Sequence, residues 1–413
     1  MAIDRRTVAV MAAASGICVA NIYYCQPLLA DIGRSLGASE RAIGYLPMWT
    51  QAGTALGMFT FVPLGDMFPR RKLIVIMSVL SGLTVAMMAI APNLALVNAA
   101  GFAIGLTGIA MHLILPFAAK LAPPESRGHV VGTVLGGLLL GILLARVVSG
   151  FVGDLLGWRA MYWIAAAAMF ALAVVLRYAL PYDRPEPNLR YGELVRSIVD
   201  LVRTQPMLRE AAVIGGMLFG AFSSFWATLV FFVGTPPYHY GARVAGLFGL
   251  VGAVGVLCAP WAGRLSDRKG PAFTVTLGIL IALGSYVVFD VAGYGVWGLV
   301  AGVILLDLGV QAGHVANQTR IYALVPEARS RLNTVYMVTY FLGGALGSAL
   351  GAYGWTHWRW NGVCAAGAAQ LLMALGVRGW MHFRGERVQE KRIFYPFSAI
   401  AQRPGPSESD RPR

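Results

Sequence analysis

The chain has 413 residues, of which 57% are hydrophobic and only 13% are charged. Soluble domains contain about 45–50% apolar and about 25% charged residues, so this composition, with a mean hydropathy of +0.64, excludes an ordinary soluble protein. Apolar runs recur along nearly the whole length, and each holds the roughly 20 residues that cross a hydrocarbon core. The sequence therefore predicts an all-α membrane protein.

The net charge of +14 alone would suggest a nucleic-acid partner. The positions of the basic residues argue against one. If the N-terminus is cytoplasmic, 27 of the 33 Lys and Arg residues fall in inside loops and ends. Such a bias is typical of multi-pass membrane proteins. The other basic residues are Arg146, within a span, and five in outside loops, namely Arg34, Arg41, Arg159, Arg243 and Arg359.

Twelve transmembrane helices are predicted, and an even number places both termini on the cytoplasmic side. The expected domains are an N-terminal half (1–180), a cytoplasmic linker with an amphipathic surface helix near 194–202 (181–210), a C-terminal half (211–381) and a partly disordered cytoplasmic tail (382–413). The predicted spans are 7–29, 43–64, 73–91, 95–118, 130–153, 160–180, 211–234, 244–263, 271–292, 295–320, 332–354 and 360–381.

The two halves repeat one another. The charged hinge Val62–Leu73 returns as Gly263–Gly270, with Asp66 and Asp267 as matched acids. Pro124-Glu-Ser-Arg127 returns as Pro326-Glu-Ala-Arg329, and Trp158-Arg159 returns as Trp358-Arg359. The offsets are 201, 202 and 200 residues. Since six helices return the chain to its starting side, the halves are predicted to be parallel six-helix repeats.

These motifs resemble those of the major facilitator superfamily over essentially the whole chain. Both hinges resemble its signature loop, although Val62 and Pro69 stand where that loop usually has Gly. Asn21–Pro27 and Gly137–Arg146 resemble a bacterial subgroup described as predicted arabinose or drug efflux permeases. The resemblance implies a monomeric inner-membrane transporter that works by alternating access, with no enzymatic activity and no cofactor. The hinge residues would act as cytoplasmic latches, namely Asp66, Arg70, Arg71, Asp267 and Arg268.

Ionisable side chains inside a bilayer need a partner or a wet cavity and therefore indicate function. In span 10, Asp307, Gln311, His314 and Gln318 lie within an arc of about 60°. This stripe is either a substrate- and proton-handling face or a hydrogen-bonded packing seam. Asp307 is the best candidate for protonation, since it can load and release a proton. His314 and His112 are further candidates, although a lone membrane histidine such as His112 more often bridges two helices.

Arg146 stays charged and needs an anion or other acceptors. Asp31, at the outer end of span 1, is its expected partner. Arg146 would then bind an anionic group, close an outer gate, or form a structural ion pair. Related antiporters usually show Gly-Pro in span 5, whereas this chain has Gly141-Ile142.

The remaining polar and aromatic side chains of the spans are candidates for lining a substrate cavity, with packing as the alternative for each. In span 1, Asn21 and Tyr24 share a face from which Gln26 is expected to point away. The four cysteines lack a C-x-x-C pair, so no metal site is expected. The cavity candidates are Asn21, Tyr24, Gln51, Arg146, Phe222, Trp226, Gln311, Asn317, Gln318, Asn333, Tyr336 and Tyr340.

The favoured function is proton-coupled efflux of a small molecule, a drug, sugar or metabolite. The alternative is a proton symporter or facilitator that imports a sugar, an organic acid or a nucleoside. A receptor or membrane-embedded enzyme is disfavoured because no signalling domain, nucleophile–base pair or metal cluster is visible in the sequence. The expected partners are the substrate, protons and the lipid bilayer.

Overall fold

The computed structural model describes residues 4–183, 191–257, 259–325 and 328–393, without the side chains of Asp66, 254–257, 259 and 382–393. Cys258, the start of the second Pro-Glu motif and the tail from 394 lie outside the described residues. The helices are α1 Arg5–Tyr23, α2 Cys25–Ser35, α3 Glu40–Gly44, α4 Leu46–Phe61, α5 Arg70–Ile90, α6 Leu94–Thr107, α7 Ala110–Leu121, α8 Arg127–Leu156, α9 Trp158–Ala179, α10 Tyr191–Thr204, α11 Pro206–Val233, α12 Ala242–Leu257, α13 Ala259–Lys269, α14 Pro271–Ala292, α15 Val296–Tyr322 and α16 Arg329–Ile393.

Within these described ranges, nine stretches of helix are long and apolar enough to cross a membrane. The last of them, Arg329–Met381, bends at Trp358 and Arg359 and therefore holds two spans. With α4 and the pair α12–α13, the layout agrees with the twelve predicted helices. Only a helix satisfies its own backbone hydrogen bonds in hydrocarbon, which is why apolar runs of this length fold this way.

The helix breaks have local causes. Span 1 is interrupted at Tyr24, between α1 and α2, one turn before Pro27. Proline has no N–H to donate and so leaves a carbonyl one turn earlier without its helical partner. Arg359 bends α16 with φ of +51°, a value that strains a residue with a side chain. Gly157, at the matching bend of the N-terminal half, has φ of +83° without that strain.

The same helix pairs pack in both halves. In the N-terminal half, Gly16 of α1 lies against Gly137 and Gly141 of α8. In the C-terminal half, Gly216 of α11 lies against Gly343 of α16. Small residues let helix backbones approach closely in a membrane. The repeated contact between the first and fifth spans of each half supports the predicted parallel repeats.

The halves contact each other at one end of the bundle, here called the far end because it lies opposite the N-terminus. There, Gly150 of α8 meets Ala242 and Gly246 of α12, and Gly44 meets Ala352 of α16. A Cβ at Gly246 would lie 3.2 Å from the Cα of Gly150. These contacts close the far end between α8 and α12 and between α3 and α16.

At the opposite end, here called the terminal end, the first part of α8 is less closely packed. Cβ atoms placed at Gly128, Gly132 and Gly136 would meet no described atom within 4 Å. The amphipathic α10 lies at this end, where the Tyr191 hydroxyl donates to the Thr60 carbonyl over 3.3 Å. Its Ser197 accepts from Arg331 of α16, so α10 contacts both halves.

Candidate substrate site between the two halves

Arg146 lies on α8 about midway through the contact between the halves, and its side chain is only 3% exposed. Its Nε donates to Oε1 of Gln26 over 2.7 Å. The guanidinium carbon lies 4.0 Å from the centre of the Trp226 ring and 5.0 Å from that of Tyr23. Among the described residues, its Nη2 has no hydrogen-bond partner. The cation is thus held by one amide and by ring faces, and one of its donor atoms lacks a hydrogen-bond partner among the described residues.

The expected partner of this arginine was wrong. Asp31 forms an ion pair with Arg34 instead of Arg146, because a basic residue three positions along the same helix is the nearer partner. Gln26, which was expected to point away from the face of Asn21 and Tyr24, accepts from Arg146 in its place.

Asp307 supplies the opposite charge from the other half of the protein. It lies on α15, is 7% exposed and interacts electrostatically with Arg146. Both residues lie against α12, where a Cβ at Gly249 would be 3.0 Å from Cβ of Arg146 and a Cβ at Gly252 would be 3.3 Å from Oδ2 of Asp307. Asp307 Oδ2 has no hydrogen-bond partner within the described ranges. The site therefore brings two buried charges together, and each has a polar atom without a hydrogen-bond partner among the described residues.

The predicted stripe on α15 becomes more buried towards Asp307. Gln318, His314 and Gln311 are each half-buried, whereas Asp307 is buried. Nδ1 of His314 lies 3.1 Å from the Tyr336 hydroxyl, and its ring centre is 4.8 Å from that of Tyr340. The side chains of Gln311, His314 and Gln318 are thus partly exposed, and Asp307 lies at the buried end of the stripe.

Aromatic rings continue from Arg146 towards His314. Phe219, Phe222 and Trp226 are spaced i, i+3 and i+7 on α11, so they share one face. Phe222 lies 5.9 Å from Trp226, and Phe219 stacks on Tyr340 at 4.1 Å between ring centres. Phe219, Phe222, Trp226 and Tyr340 are called the aromatic strip below. Phe225 points elsewhere and stacks on Phe289 at 4.5 Å.

Other candidate residues have protein partners. Gln51 of α4 hydrogen-bonds Ser223 at 3.3 Å and Ser348 at 3.1 Å, which places it in the contact between the halves. Asn21 donates to the Ile17 carbonyl at 3.4 Å within its own helix, and the neighbouring Tyr24 is half-buried.

Two polar candidates nearer the terminal end are also hydrogen-bonded. Asn333 accepts from the Tyr322 hydroxyl at 2.9 Å, and Asn317 accepts from Arg320 at 3.2 Å. His112 of α7 meets the Phe341 ring edge-on at 6.0 Å between ring centres. These contacts link α15 to α16 and bring α7 of the N-terminal half against α16.

The two hinges differ in their surroundings. Backbone N–H of Arg70 donates to Asp183 over 2.8 Å, Nε of Arg70 donates to the Gly65 carbonyl, and Arg71 donates to the Arg177 carbonyl. In the second hinge, Asp267 and Arg268 are exposed. The side chain of Asp66 lies outside the described residues.

Sequence reasoning missed a buried ionic cluster at the terminal end of the C-terminal half. Glu210 accepts from Arg320 at 2.8 Å and from Arg378 at 3.1 Å. Three helices, α11, α15 and α16, supply one residue each. The predicted span began at 211, so the acid was counted with the linker. A polar residue just outside an apolar run was the only local signal.

The fold and the site together define a class of protein. Apolar helices in two matched halves surround buried opposite charges, and the halves are closed at one end, as in a multi-pass membrane transport protein. The Major Facilitator Superfamily profile matches residues 11–347. This chain belongs to the Major Facilitator Superfamily, and as a transport protein it is not an enzyme.

Curated relatives and solved structures agree with this assignment. Uncharacterized transporter YgaY of Escherichia coli O157:H7 is 41% identical over 366 residues, covering 89% of this chain and 93% of that protein. Probable transporter SCO4007 of Streptomyces coelicolor is 34% identical over 368 residues, covering 88% and 84%. The structure of the nucleoside transporter NupG has a TM-score of 0.74 at 13% identity, covering 91% of this chain and 99% of that chain, a likeness of fold alone.

Proposed function

We propose that this chain is a secondary active transporter that moves a small molecule across the cytoplasmic membrane by alternating access, coupled to protons and in the direction of efflux. One observation carries the proposal: the buried charges of Arg146 and Asp307 come from opposite halves and lie at the inner end of a polar stripe. Intramembrane ionisable groups that line such a path mark proton and substrate routes.

Asp307 is the group that takes up and releases the proton in this proposal. Its unfilled Oδ2 atom and its place beside the half-buried part of the stripe support the role. His314, bonded to Tyr336, and His112 are the next candidates on the proton path. One proton moving down ~100 mV supplies about 2.3 kcal/mol, which supports a roughly 50-fold concentration gradient. A single titrating carboxylate is therefore sufficient for useful pumping.

The transport cycle rocks one half against the other around the Arg146–Asp307 site. With both termini in the cytoplasm of a bacterial cell, as the Lys and Arg distribution supports, the closed far end is the outer face. The substrate then enters from the terminal end, past the partly exposed Gln318, Asn333 and Gln311. Gln51, which joins the halves through Ser223 and Ser348, helps to close the far end.

The hinge residues act as latches in the opposite state, when the terminal end closes. Asp66, Arg70 and Arg71 of the first hinge and Asp267 and Arg268 of the second carry this role. Asp66→Asn should lower transport while the protein still elutes as a folded monomer on size exclusion. Unchanged transport by the folded variant would exclude the latch.

A second function, proton-coupled import, is favoured by the closeness of Arg146 to Asp307. An anionic substrate held by Arg146 would repel the carboxylate of Asp307, so the anion and a proton on Asp307 would bind together. That coupling moves both in the same direction, as a symporter for an organic acid requires. Import of a sugar or a nucleoside is the remaining form of this alternative.

Everted membrane vesicles separate the two directions. An exporter accumulates its substrate inside energised everted vesicles, whereas an importer driven by protons does not. The measurement uses radiolabelled compounds from both classes, drugs and organic acids, with vesicles that lack the protein as the control. Accumulation that needs the protein and stops when an uncoupler removes the proton gradient supports efflux.

A further inference from the structure

We infer that the site takes a monocarboxylate with an apolar body, its carboxylate on Arg146 and its body along the aromatic strip. The inference rests on the proposed function in its second form, proton-coupled import, since an anion on Arg146 and a proton on Asp307 are expected to bind together at that same site. It starts from buried hydrogen-bond donors in the centre of the protein that have no partner among the described residues.

Two such donors lie next to each other. Nη2 of Arg146 and Nε1 of Trp226 are both buried, and neither has a hydrogen-bond partner in the part of the chain that the structure describes. The guanidinium carbon is 4.0 Å from the Trp226 ring centre, so both donors belong to one small region. Buried donors are nearly always satisfied in folded proteins. An anion with two oxygen atoms, one for each donor, fits this arrangement.

The chemistry of the donors favours a carboxylate. A guanidinium presents its N–H groups in a fixed planar fork, and its hydrogen bonds to a carboxylate are charge-assisted. Its Nε is already occupied by Gln26, which holds the fork in place and leaves Nη2 for one of the two oxygens. The bound anion would therefore meet an arginine whose orientation is already fixed.

The charge of the site limits the ligand to one negative charge. Arg146 is the buried cation of this site, and the carboxylate of Asp307 lies near it, against the same helix, α12. A second negative charge on the ligand would have no cation to meet and would be repelled by Asp307. A ligand ammonium group would instead compete for Asp307 with the proton that the proposed function places there.

The walls of the site favour an apolar body. Phe222, Phe219 and Tyr340 follow Trp226 along the aromatic strip, and all four rings are at least nine-tenths buried. Phe219 stacks on Tyr340 at 4.1 Å and Phe222 lies tilted against Trp226 at 5.9 Å, so this side of the site is apolar with few hydrogen-bonding groups. A sugar would leave most of its hydroxyl groups without partners against these faces.

The test measures binding to the purified full chain in lipid nanodiscs by isothermal titration. The probes are acids and their neutral amides of the same shape: benzoate with benzamide, hexanoate with hexanamide, and 3-phenylpropionate with 3-phenylpropionamide. At least one acid should bind about ten-fold more tightly than its amide, as expected for a hydrogen bond to a charged group. The preference should vanish in Arg146→Gln and remain in the exposed control Arg34→Gln.

Two further variants keep the test decisive. If Arg146→Gln does not fold, Arg146→Lys serves in its place because it keeps the charge. It should also lose most of the preference for the acid over its amide, because a lysine lacks the planar fork. Trp226→Phe keeps the ring but removes its N–H, so acid binding should weaken about three-fold or more. If no acid is preferred over its amide, or if Arg146→Gln and Arg146→Lys both keep the preference, the inference is overturned.

The outcomes for substrate class and for coupling can be told apart. L-phenylalanine, the zwitterionic relative of 3-phenylpropionate, serves as a further probe, and tighter binding of the zwitterion would overturn the monocarboxylate assignment. In proteoliposomes, acid uptake that ignores an imposed pH gradient would contradict the proton coupling and leave the substrate class intact. Proton-coupled uptake of a neutral compound, with no uptake of any acid, would contradict the substrate class and leave the proton coupling intact.

Discussion

The guanidinium carbon of Arg146 lies 4.0 Å from the centre of the Trp226 ring, and the two residues belong to opposite halves of the protein. The contact places a buried cation against an aromatic face where the halves meet. Arg146 also holds Gln26 of the first span through its Nε. One side chain therefore connects α2 and α8 of the N-terminal half with α11 of the C-terminal half.

Replacing Arg146 by lysine should reduce transport about ten-fold or more while the protein stays folded. A lysine keeps the positive charge but offers a single point of contact, so it loses either the Gln26 bond or the stacking on Trp226. Initial rates of substrate-dependent proton movement in proteoliposomes measure the effect, with Arg34→Lys as the matched control. A folded Arg146→Lys protein with wild-type rates would show that the arginine geometry is unimportant.

Cross-linking the far end should block the cycle. A Cβ at Gly44 would lie 3.0 Å from Cβ of Ala352, so a small shift brings two cysteines there to the roughly 3.5–4.5 Å that a disulfide spans. We expect the double variant Gly44→Cys with Ala352→Cys, made in a background without native cysteines, to lose transport under oxidation and regain it with reductant. Each single variant is the control. Full transport by the cross-linked protein would contradict opening at the far end.

The buried acid Glu210 should matter far more for stability than the exposed acid Glu40. Both accept from an arginine: Glu210 from Arg320 at 2.8 Å and Glu40 from Arg359 at 3.0 Å. Glu210→Gln leaves Arg320 buried without its counter-charge, which costs about 3–5 kcal/mol. Glu40→Gln should cost less than about 1 kcal/mol, as for other exposed pairs.

Unfolding of both variants by denaturant in the same detergent micelles measures this difference. Similar losses for Glu210→Gln and Glu40→Gln would show that the burial of the Glu210 cluster contributes little. A larger loss for Glu40→Gln would mean that the closed far end limits stability.

The fold was largely predictable from the sequence because two signals are strong in a membrane. Long apolar runs must become helices in hydrocarbon, and motifs repeated at an offset of about 200 residues indicate two copies of one unit. Helix breaks were harder to place. The interruption of span 1 at Tyr24 was not predicted, although Pro27 gave a hint of it.

The site was only partly predictable. Arg146 and Asp307 stand out as charges within apolar runs, and Trp226 as an aromatic residue among them. No pattern in the sequence says that these three come together, since α8, α11 and α15 meet only through tertiary packing. The Glu210 cluster was missed for the same reason, because its three members lie more than 50 residues apart.

The central claim is that Asp307 couples transport to protons, and substrate-induced proton movement in everted vesicles tests it most directly. Wild type and Asp307→Asn are compared in weakly buffered medium over the same panel of acids, amides, drugs and sugars. We predict that at least one compound moves protons in the wild type and none does so in Asp307→Asn. Release of protons into the medium would indicate antiport, and uptake would indicate symport. Equal proton movement by Asp307→Asn would contradict the account.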